Sequence, residues 1–288
     1  MSARVSVRHR AGGRVRTALA AGATTAFAGW LSDRSASPSR WSRTNYRGRP
    51  VDLFGGPAAT AGVLVACLVS SSAREGRGAR TAPLLVAVTA AGLGLYDDLA
   101  GGAHARGLRG HLRALKHGQV TTGLVKMAGL AGAGLAAAAL DSSERRGSAT
   151  DVVIDAALVS GTANLVNLLD LRPGRALKVV GAAALPLATR RGGAETGVAE
   201  LAAGLAATAA ALLPADLAER RMAGDCGANA LGALLGWTVA AAAGRRGRST
   251  ALAAVVGLTL VSEYVSFSAV IERTPVLAAA DRWGRLPV

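Results

Sequence analysis

Aromatic residues and cysteine are scarce in this sequence, and the scarcity limits the kinds of domain and site that the chain can form. It has four Trp, three Tyr, three Phe and two Cys in 288 residues. Cys67 and Cys226 are too few for a disulfide framework. Of the four His, His104, His111 and His117 share one connector, but their spacing matches no standard zinc pattern. The sequence therefore indicates neither a disulfide-stapled domain nor a structural zinc site.

Negative charge is also scarce. The formal net charge is +15, with 33 Lys and Arg against 18 Asp and Glu, and only three of the cations are Lys. In a soluble protein this balance would suggest a nucleic-acid ligand. Here the cations lie between apolar runs with no interleaved aromatics, so we expect no nucleic acid and favour anionic lipid headgroups as their partners.

Long apolar runs, by contrast, are abundant, and 51% of the residues are hydrophobic. Nine runs follow one another at residues 15–31, 57–72, 81–96, 121–140, 152–170, 176–189, 197–213, 227–243 and 250–271. A helix that spans a bilayer needs about 20 mostly apolar residues. The pattern predicts an all-α, polytopic membrane helix bundle of about nine transmembrane helices without strands. A soluble Ala-rich helical protein is the alternative. We divide the chain into a basic N-terminal arm (1–14), a transmembrane domain (15–271) and a charged C-terminal tail (272–288).

The stretch 161–178 carries the densest polar pattern. Asn164, Asn167 and Asp170 recur at steps of three, which places them on one broad helix face. Pro173 and Gly174 are expected to end that helix. Three cations follow in or after this turn: Arg172, Arg175 and Lys178. Amides, a carboxylate and cations at the end of an apolar helix suit a metal and a phosphate-bearing ligand. The alternative is a capped helix end with a solvated basic turn.

Other polar residues lie at the ends of further apolar runs. Asp97 and Asp98 close the third run, where two adjacent carboxylates are costly unless a cation offsets their charge. Lys116 precedes the fourth run and Lys126 lies one turn inside it. Asp225 precedes the eighth run at a position typical of a helix N-cap, in a Gly-rich setting that lets a ligand approach.

The order of these motifs indicates that they share one side of the membrane. With nine spans, the connectors after odd-numbered runs all lie on the same face. Asp97 and Asp98, the segment from Asp170, and Asp225 follow the third, fifth and seventh runs. A metal-dependent site requires this convergence. The positive-inside rule barely distinguishes the two sides. We expect the shared face to be cytoplasmic because nucleotide substrates are cytoplasmic.

In this order the motifs resemble those of the polyprenyl-phosphate N-acetylhexosamine-1-phosphate transferases. This is the membrane superfamily, also called glycosyltransferase family 4, that includes phospho-N-acetylmuramoyl-pentapeptide transferase. The resemblance spans residues 45–285 and rests on Gly55-Gly56, Asp97-Asp98, the Asn164-to-Asp170 pattern and Gly224-Asp225 followed by Gly227. It implies an Mg²⁺-dependent enzyme of the plasma membrane that transfers a sugar-1-phosphate from a UDP-sugar to polyprenyl phosphate and releases UMP.

The resemblance also implies residue roles. Asp225 would bind Mg²⁺, while Asp97 and Asp98 would orient or deprotonate the lipid phosphate. Asp170 and Asn167 would lie at the diphosphate. Lys116 and Lys126 would neutralise phosphate charge. From their place in the stretch 161–178, we also expect substrate binding by Asn164, Asn167, Arg172, Arg175 and Lys178. The oligomeric state stays open, with a homodimer as one alternative.

The sequence also departs from the family. Pro173 replaces a frequent second Asp, the histidine-rich loop is not found, and the apolar runs number one fewer than the family's helices. A catalytically silent relative that binds polyprenyl phosphate as a scaffold or regulator is therefore a competing hypothesis. A transporter is a third, because intramembrane carboxylates also mark ion paths.

Overall fold

The computed structural model describes residues 2–34, 39–71, 77–100, 107–145, 148–190 and 196–287. Within these ranges it contains twelve α-helices and one short β-hairpin. The helices are α1 (Ser2–Arg34), α2 (Gly55–Val69), α3 (Arg77–Ala100), α4 (Gly107–Lys116), α5 (Thr122–Arg145), α6 (Ala149–Leu169), α7 (Arg175–Ala188), α8 (Thr196–Leu217), α9 (Gly224–Ala242), α10 (Arg245–Ser262), α11 (Phe267–Arg273) and α12 (Pro275–Arg282). The predicted all-α class is confirmed, with the hairpin as its exception.

The number of membrane spans is smaller than the nine predicted. Each apolar run lies largely on a helix, but among the described residues only α3, α5, α6 and α8 are long and apolar enough to cross a membrane. A fifth span results if α10 and α11, which meet at a bend of 96°, are counted together. The apolar helix α2 is shorter, and α7 has 14 residues where a span needs about 20. The fold is thus a helical membrane bundle with four or five candidate spans.

Local sequence explains where α6 begins and ends. Ser148 and Asp151 form a capping box, in which the Ser148 hydroxyl accepts from the Asp151 N–H and the Asp151 carboxylate accepts from the Ser148 N–H. The helix ends at Leu169, and Asp170 is its C-cap. Gly174 then adopts φ 74°, a left-handed conformation that suits glycine, before α7 starts at Arg175. The predicted helix stop at Pro173 and Gly174 is confirmed.

Helix α9 lies at the centre of the bundle and packs through small residues. It contacts α2, α3 and α6, and most of its residues are buried. Gly232 faces α6 so closely that a Cβ there would lie 2.7 Å from the Thr162 carbonyl oxygen. Gly236 makes the same type of approach to Leu158 one turn later. Such small residues allow the backbones of membrane helices to approach each other.

The hairpin was not expected from the sequence. Strand β1 (Ser42–Thr44) pairs antiparallel with β2 (Pro50–Asp52), with Ser42 opposite Asp52. The strands are short, and contacts with the α8–α9 connector hold them in place. Asp52 donates its N–H to the Arg220 carbonyl at 3.1 Å and accepts from the Met222 N–H at 2.9 Å. This attachment brings residues 42–52 to the end of the bundle where α9 begins.

Candidate functional site

Three polar side chains gather around Lys126 at one end of the bundle. The Lys126 ammonium donates to the Asp97 carboxylate at 2.7 Å and also to the Asp225 carboxylate. With its amide oriented to satisfy both neighbours, Asn167 donates to Asp225 at 2.9 Å and accepts from Lys126 at 3.2 Å. We call Asp97, Lys126, Asn167 and Asp225 the lysine cluster, and its end of the molecule the site end. Four different helices, α3, α5, α6 and α9, supply its members.

Asp98 has a different role from its neighbour Asp97. Its carboxylate accepts from the backbone N–H groups of Asp225 at 3.1 Å and Cys226 at 2.9 Å. It therefore caps the start of α9 from another helix. The predicted N-cap position of Asp225 is wrong, since α9 begins at Gly224 and Asp225 lies inside its first turn. The positive end of the α9 dipole thus lies beside both carboxylates.

Two buried carboxylates lie beside the lysine cluster. Asp216, near the end of α8, accepts from the Gly174 N–H at 2.8 Å and holds the turn between α6 and α7. Asp170 is buried, and no described residue bonds to its Oδ2. Burial raises the pKa of Asp170 well above its usual range, and the negative charges of Asp216, Asp225 and Asp98 raise it further. Asp216 was not predicted from the sequence; it lies just beyond the apolar run 197–213, two residues after Pro214.

These carboxylates open into a pocket of about 720 Å³. Asp98, Asn167, Asp170 and Asp225 line it, as does the cation Arg172. The pocket lining therefore combines carboxylates and an amide with the guanidinium groups of Arg43, Arg172 and Arg221. Such a lining suits a ligand that carries phosphate groups and a cation.

The hairpin supplies a wall of the pocket that was not predicted from the sequence. Arg43 donates to the backbone carbonyl of Asp98, and Asn45 donates to the buried Glu219 carboxylate at 2.9 Å. The ring of Tyr46 lies 4.1 Å below the Arg172 guanidinium carbon, within cation–π range. The only sequence signal for this wall was the polar stretch 45–50, whose position in space depends on the α8–α9 connector.

Several predicted site residues lie elsewhere. Arg175 is buried against Asp281 and Ser268, and Lys178 donates to backbone carbonyls of residues 280, 281 and 283. Neither lines the pocket, nor does Asn164. Lys116 is exposed at the end of α4, away from the pocket lining.

Among the described residues, neither the glycine pair of α2 nor His117 contributes to the pocket. Gly55 and Gly56 pack α2 against α9, where a Cβ on Gly56 would meet the Ala223 carbonyl oxygen at 2.7 Å. His117 is exposed, while His104 and the side chain of His111 lie outside the described residues. The glycine pair is therefore explained by close helix packing.

The donor set of the lysine cluster fits a hard divalent cation bound together with substrate. Within the described ranges, no group of three or more His, Cys, Asp or Glu side chains is arranged to hold a metal. Mg²⁺, however, is commonly held by one or two carboxylates plus waters and substrate phosphates. Asp97 and Asp225 supply two such carboxylates, which converge on a single ammonium.

Neither comparison with known proteins identifies a relative. No protein-family model matches the sequence, and no curated protein is significantly similar to it.

Proposed function

We propose that the protein transfers a sugar-1-phosphate from a UDP-sugar, of the UDP-N-acetylhexosamine type, to polyprenyl phosphate. The reaction would release UMP and serve the synthesis of a cell-envelope polymer. The observation that carries this proposal is the lysine cluster, in which motif residues far apart in sequence meet beside one pocket. Asp97, Asn167 and Asp225 belong to the motifs on which the resemblance to polyprenyl-phosphate N-acetylhexosamine-1-phosphate transferases rests.

The chemistry requires positioning and charge neutralisation more than covalent catalysis. An oxygen of the lipid phosphate would form a bond to the phosphorus that carries the sugar. The bond from that phosphorus to the oxygen of UMP would break, and UMP would leave with the electron pair. Fixed positive groups stabilise such a transfer when they face the charge that develops on the phosphates. Arg172 lines the pocket, and Lys126 lies next to it through its ion pair with Asp225, so these two cations would serve this task.

The carboxylates would divide the remaining roles. Asp97 and Asp225 would hold Mg²⁺, which would supply additional charge neutralisation at the diphosphate. Asp98 would fix the start of α9, and with it the position of Asp225, through its two backbone hydrogen bonds. Asp170 would face the ligand from the pocket wall.

A catalytically silent protein that binds polyprenyl phosphate is the second candidate. It is favoured by the fate of Arg175 and Lys178, both of which are engaged by residues 268–283 instead of facing the pocket. Pro173 in place of a frequent second Asp points the same way. Such a protein would act as a scaffold or regulator in envelope assembly.

UMP release distinguishes the two candidates. Purified protein would be incubated with undecaprenyl phosphate, Mg²⁺ and a panel of UDP-sugars. We expect release that depends on lipid and metal and that is lost in an Asp97→Asn, Asp98→Asn double variant and in Asp225→Asn. Asp155→Asn, at the other end of α6, is the matched control and should retain release. No release with any UDP-sugar, together with measurable binding of polyprenyl phosphate, would favour the silent protein.

A further inference from the structure

The last helix, α12, presents its apolar side away from the protein. Ala278 is buried and Asp281 faces the bundle. Val276, on the opposite face, and Trp283, the C-cap residue seven positions later on the same side, are 78% and 70% exposed. A soluble surface helix has the reverse arrangement, with its apolar side against the core.

Hydrogen bonds fix this orientation. Arg175 donates to both carboxylate oxygens of Asp281, at 2.9 and 3.1 Å. Lys178 donates to the carbonyl oxygens of Asp281 at 2.9 Å and Trp283 at 2.6 Å. The outward face of α12 is therefore held in place by the bundle, and the exposure of Trp283 is not that of a loose chain end.

The preceding helices set the direction of this segment relative to a membrane. Helix α10, counted with α11, is a candidate span, and α11 turns away from it by 96°. If α10 crosses the bilayer, α11 lies along its surface. Tyr264, at the bend, is 73% exposed. Tyr and Trp are enriched where a membrane meets water, because their rings are apolar and their polar atoms can reach water.

A stacked aromatic and cationic pair also lies at this end of the bundle. The Arg34 guanidinium stacks on the ring of Trp30 at 3.7 Å, at the end of α1. Asp33 and Arg221 pair at 2.7 Å, which ties this end of α1 to the pocket wall. Exposed cations also flank the outward face of α12, since Arg273 ends α11 and Arg282 ends α12.

We propose that α11 and α12 lie on the membrane surface at the site end, with Val276 and Trp283 at the boundary between headgroups and acyl chains and with Arg273 and Arg282 against anionic headgroups. Amphipathic helices that carry Trp or Leu on one face and Arg on the other bind membrane interfaces in this way. The inference depends on the membrane bundle but not on the proposed transferase reaction. It places the part of the pocket lined by Ser266 and Ser268 next to the lipid headgroups.

Quenching of Trp283 by brominated lipids tests the depth of this face. The full chain would be reconstituted into phosphatidylcholine–phosphatidylglycerol vesicles, and emission of Trp283→Phe would be subtracted from that of the wild type. We expect a blue-shifted Trp283 contribution that loses more intensity to lipids brominated near the headgroup than to lipids brominated near the chain ends. A contribution quenched by aqueous iodide and not by brominated lipid would overturn the proposal.

The charge component is tested separately. Arg273→Gln with Arg282→Gln should red-shift the Trp283 contribution in phosphatidylglycerol-containing vesicles. Arg245→Gln with Arg246→Gln, at the opposite end of α10, is the matched control and should leave it unchanged. Equal quenching in pure phosphatidylcholine would contradict the role given to anionic lipid. Shielding from both quenchers, with a dimeric mass in light scattering, would show instead that a second copy of the chain covers this face.

Discussion

At the scale of single residues, Lys126 is the most informative position. Its ammonium neutralises two carboxylates that would otherwise repel each other. Under the proposed function, Lys126→Met should lower the rate of UMP release by about 10²–10³-fold, as for the loss of one preorganised positive group. Lys116→Met removes an exposed lysine of the same type and should have little effect. A variant that unfolds more readily but keeps its turnover per folded molecule would show that Lys126 only holds the helices together.

The buried carboxyl group of Asp170 should make the stability of the protein depend on pH. Burial first, and then three neighbouring carboxylates, raise its pKa well above the usual range. The folded protein therefore keeps this proton to a higher pH than the unfolded chain. Stability should be greatest below the unfolded pKa of about 3.9 and fall as the pH rises through the folded pKa. Each unit of the upward shift is worth about 1.4 kcal/mol.

The Asp170→Asn variant checks this sign. Its thermal midpoint in EDTA should depend less on pH than that of the wild type and should exceed it at alkaline pH. At a pH below the unfolded pKa the two proteins should differ less. Parallel midpoint curves for the two proteins would contradict the assignment of this dependence to Asp170.

At the scale of elements, the pair Arg175–Asp281 attaches α12 to α7. Both side chains are buried, and burial by itself raises the pKa of Asp281, but the hydrogen bonds and charge of Arg175 outweigh it and lower that pKa. This contribution to stability is present above the unfolded pKa and lost as the pH falls through the folded pKa. Asp281→Leu should destabilise the attachment by about 3–5 kcal/mol, because it leaves a buried guanidinium without its carboxylate.

Hydrogen exchange of residues 275–287 measures this attachment. The Asp281→Leu variant should exchange faster there, while the protection of α9 should stay unchanged. Adding Arg175→Met should restore much of the protection, since replacing a whole buried ion pair by apolar residues costs far less than removing one partner. If residues 275–287 exchange as slowly as in the wild type in both variants, the attachment would be assigned to Lys178 and the backbone contacts instead.

The sequence predicts the helices better than it predicts the long-range contacts between them. The polar steps at Asn167 and Asp170 and the stop at Pro173 follow local rules, so the end of α6 was predictable. The hairpin was not, because its position depends on the pairing of Asp52 with the α8–α9 connector and its strands carry no alternating pattern. The cap that Asp98 gives to α9 was also hidden, since it joins residues 127 positions apart. Contacts of this kind depend on the packing of α3 against α9.

At the scale of the whole molecule, apolar composition overstates the number of spans. Most of α9 is buried, so its apolar residues face other helices and need not face lipid. Nine alternating connectors therefore cannot place the motifs on one side of a membrane. Asp97, Lys126, Asn167 and Asp225 nevertheless meet at one end of the bundle, and that they share one side of the membrane stays a prediction. The convergence could be predicted from where acids close apolar runs, but the count of crossings could not.

The orientation of the bundle remains a prediction that labelling can decide. Helix α10 runs from exposed Arg245 at one end to the bend before α11 at the site end. If α10 crosses the membrane and the pocket receives a nucleotide sugar, Arg273→Cys should be shielded from an impermeant maleimide in intact cells and react after lysis. Arg245→Cys should react in intact cells. The native Cys67 and Cys226 are buried and should give little background. The reverse pattern would place the pocket outside the cell and remove the proposed sugar-nucleotide donor from its reach, whatever the geometry of the lysine cluster.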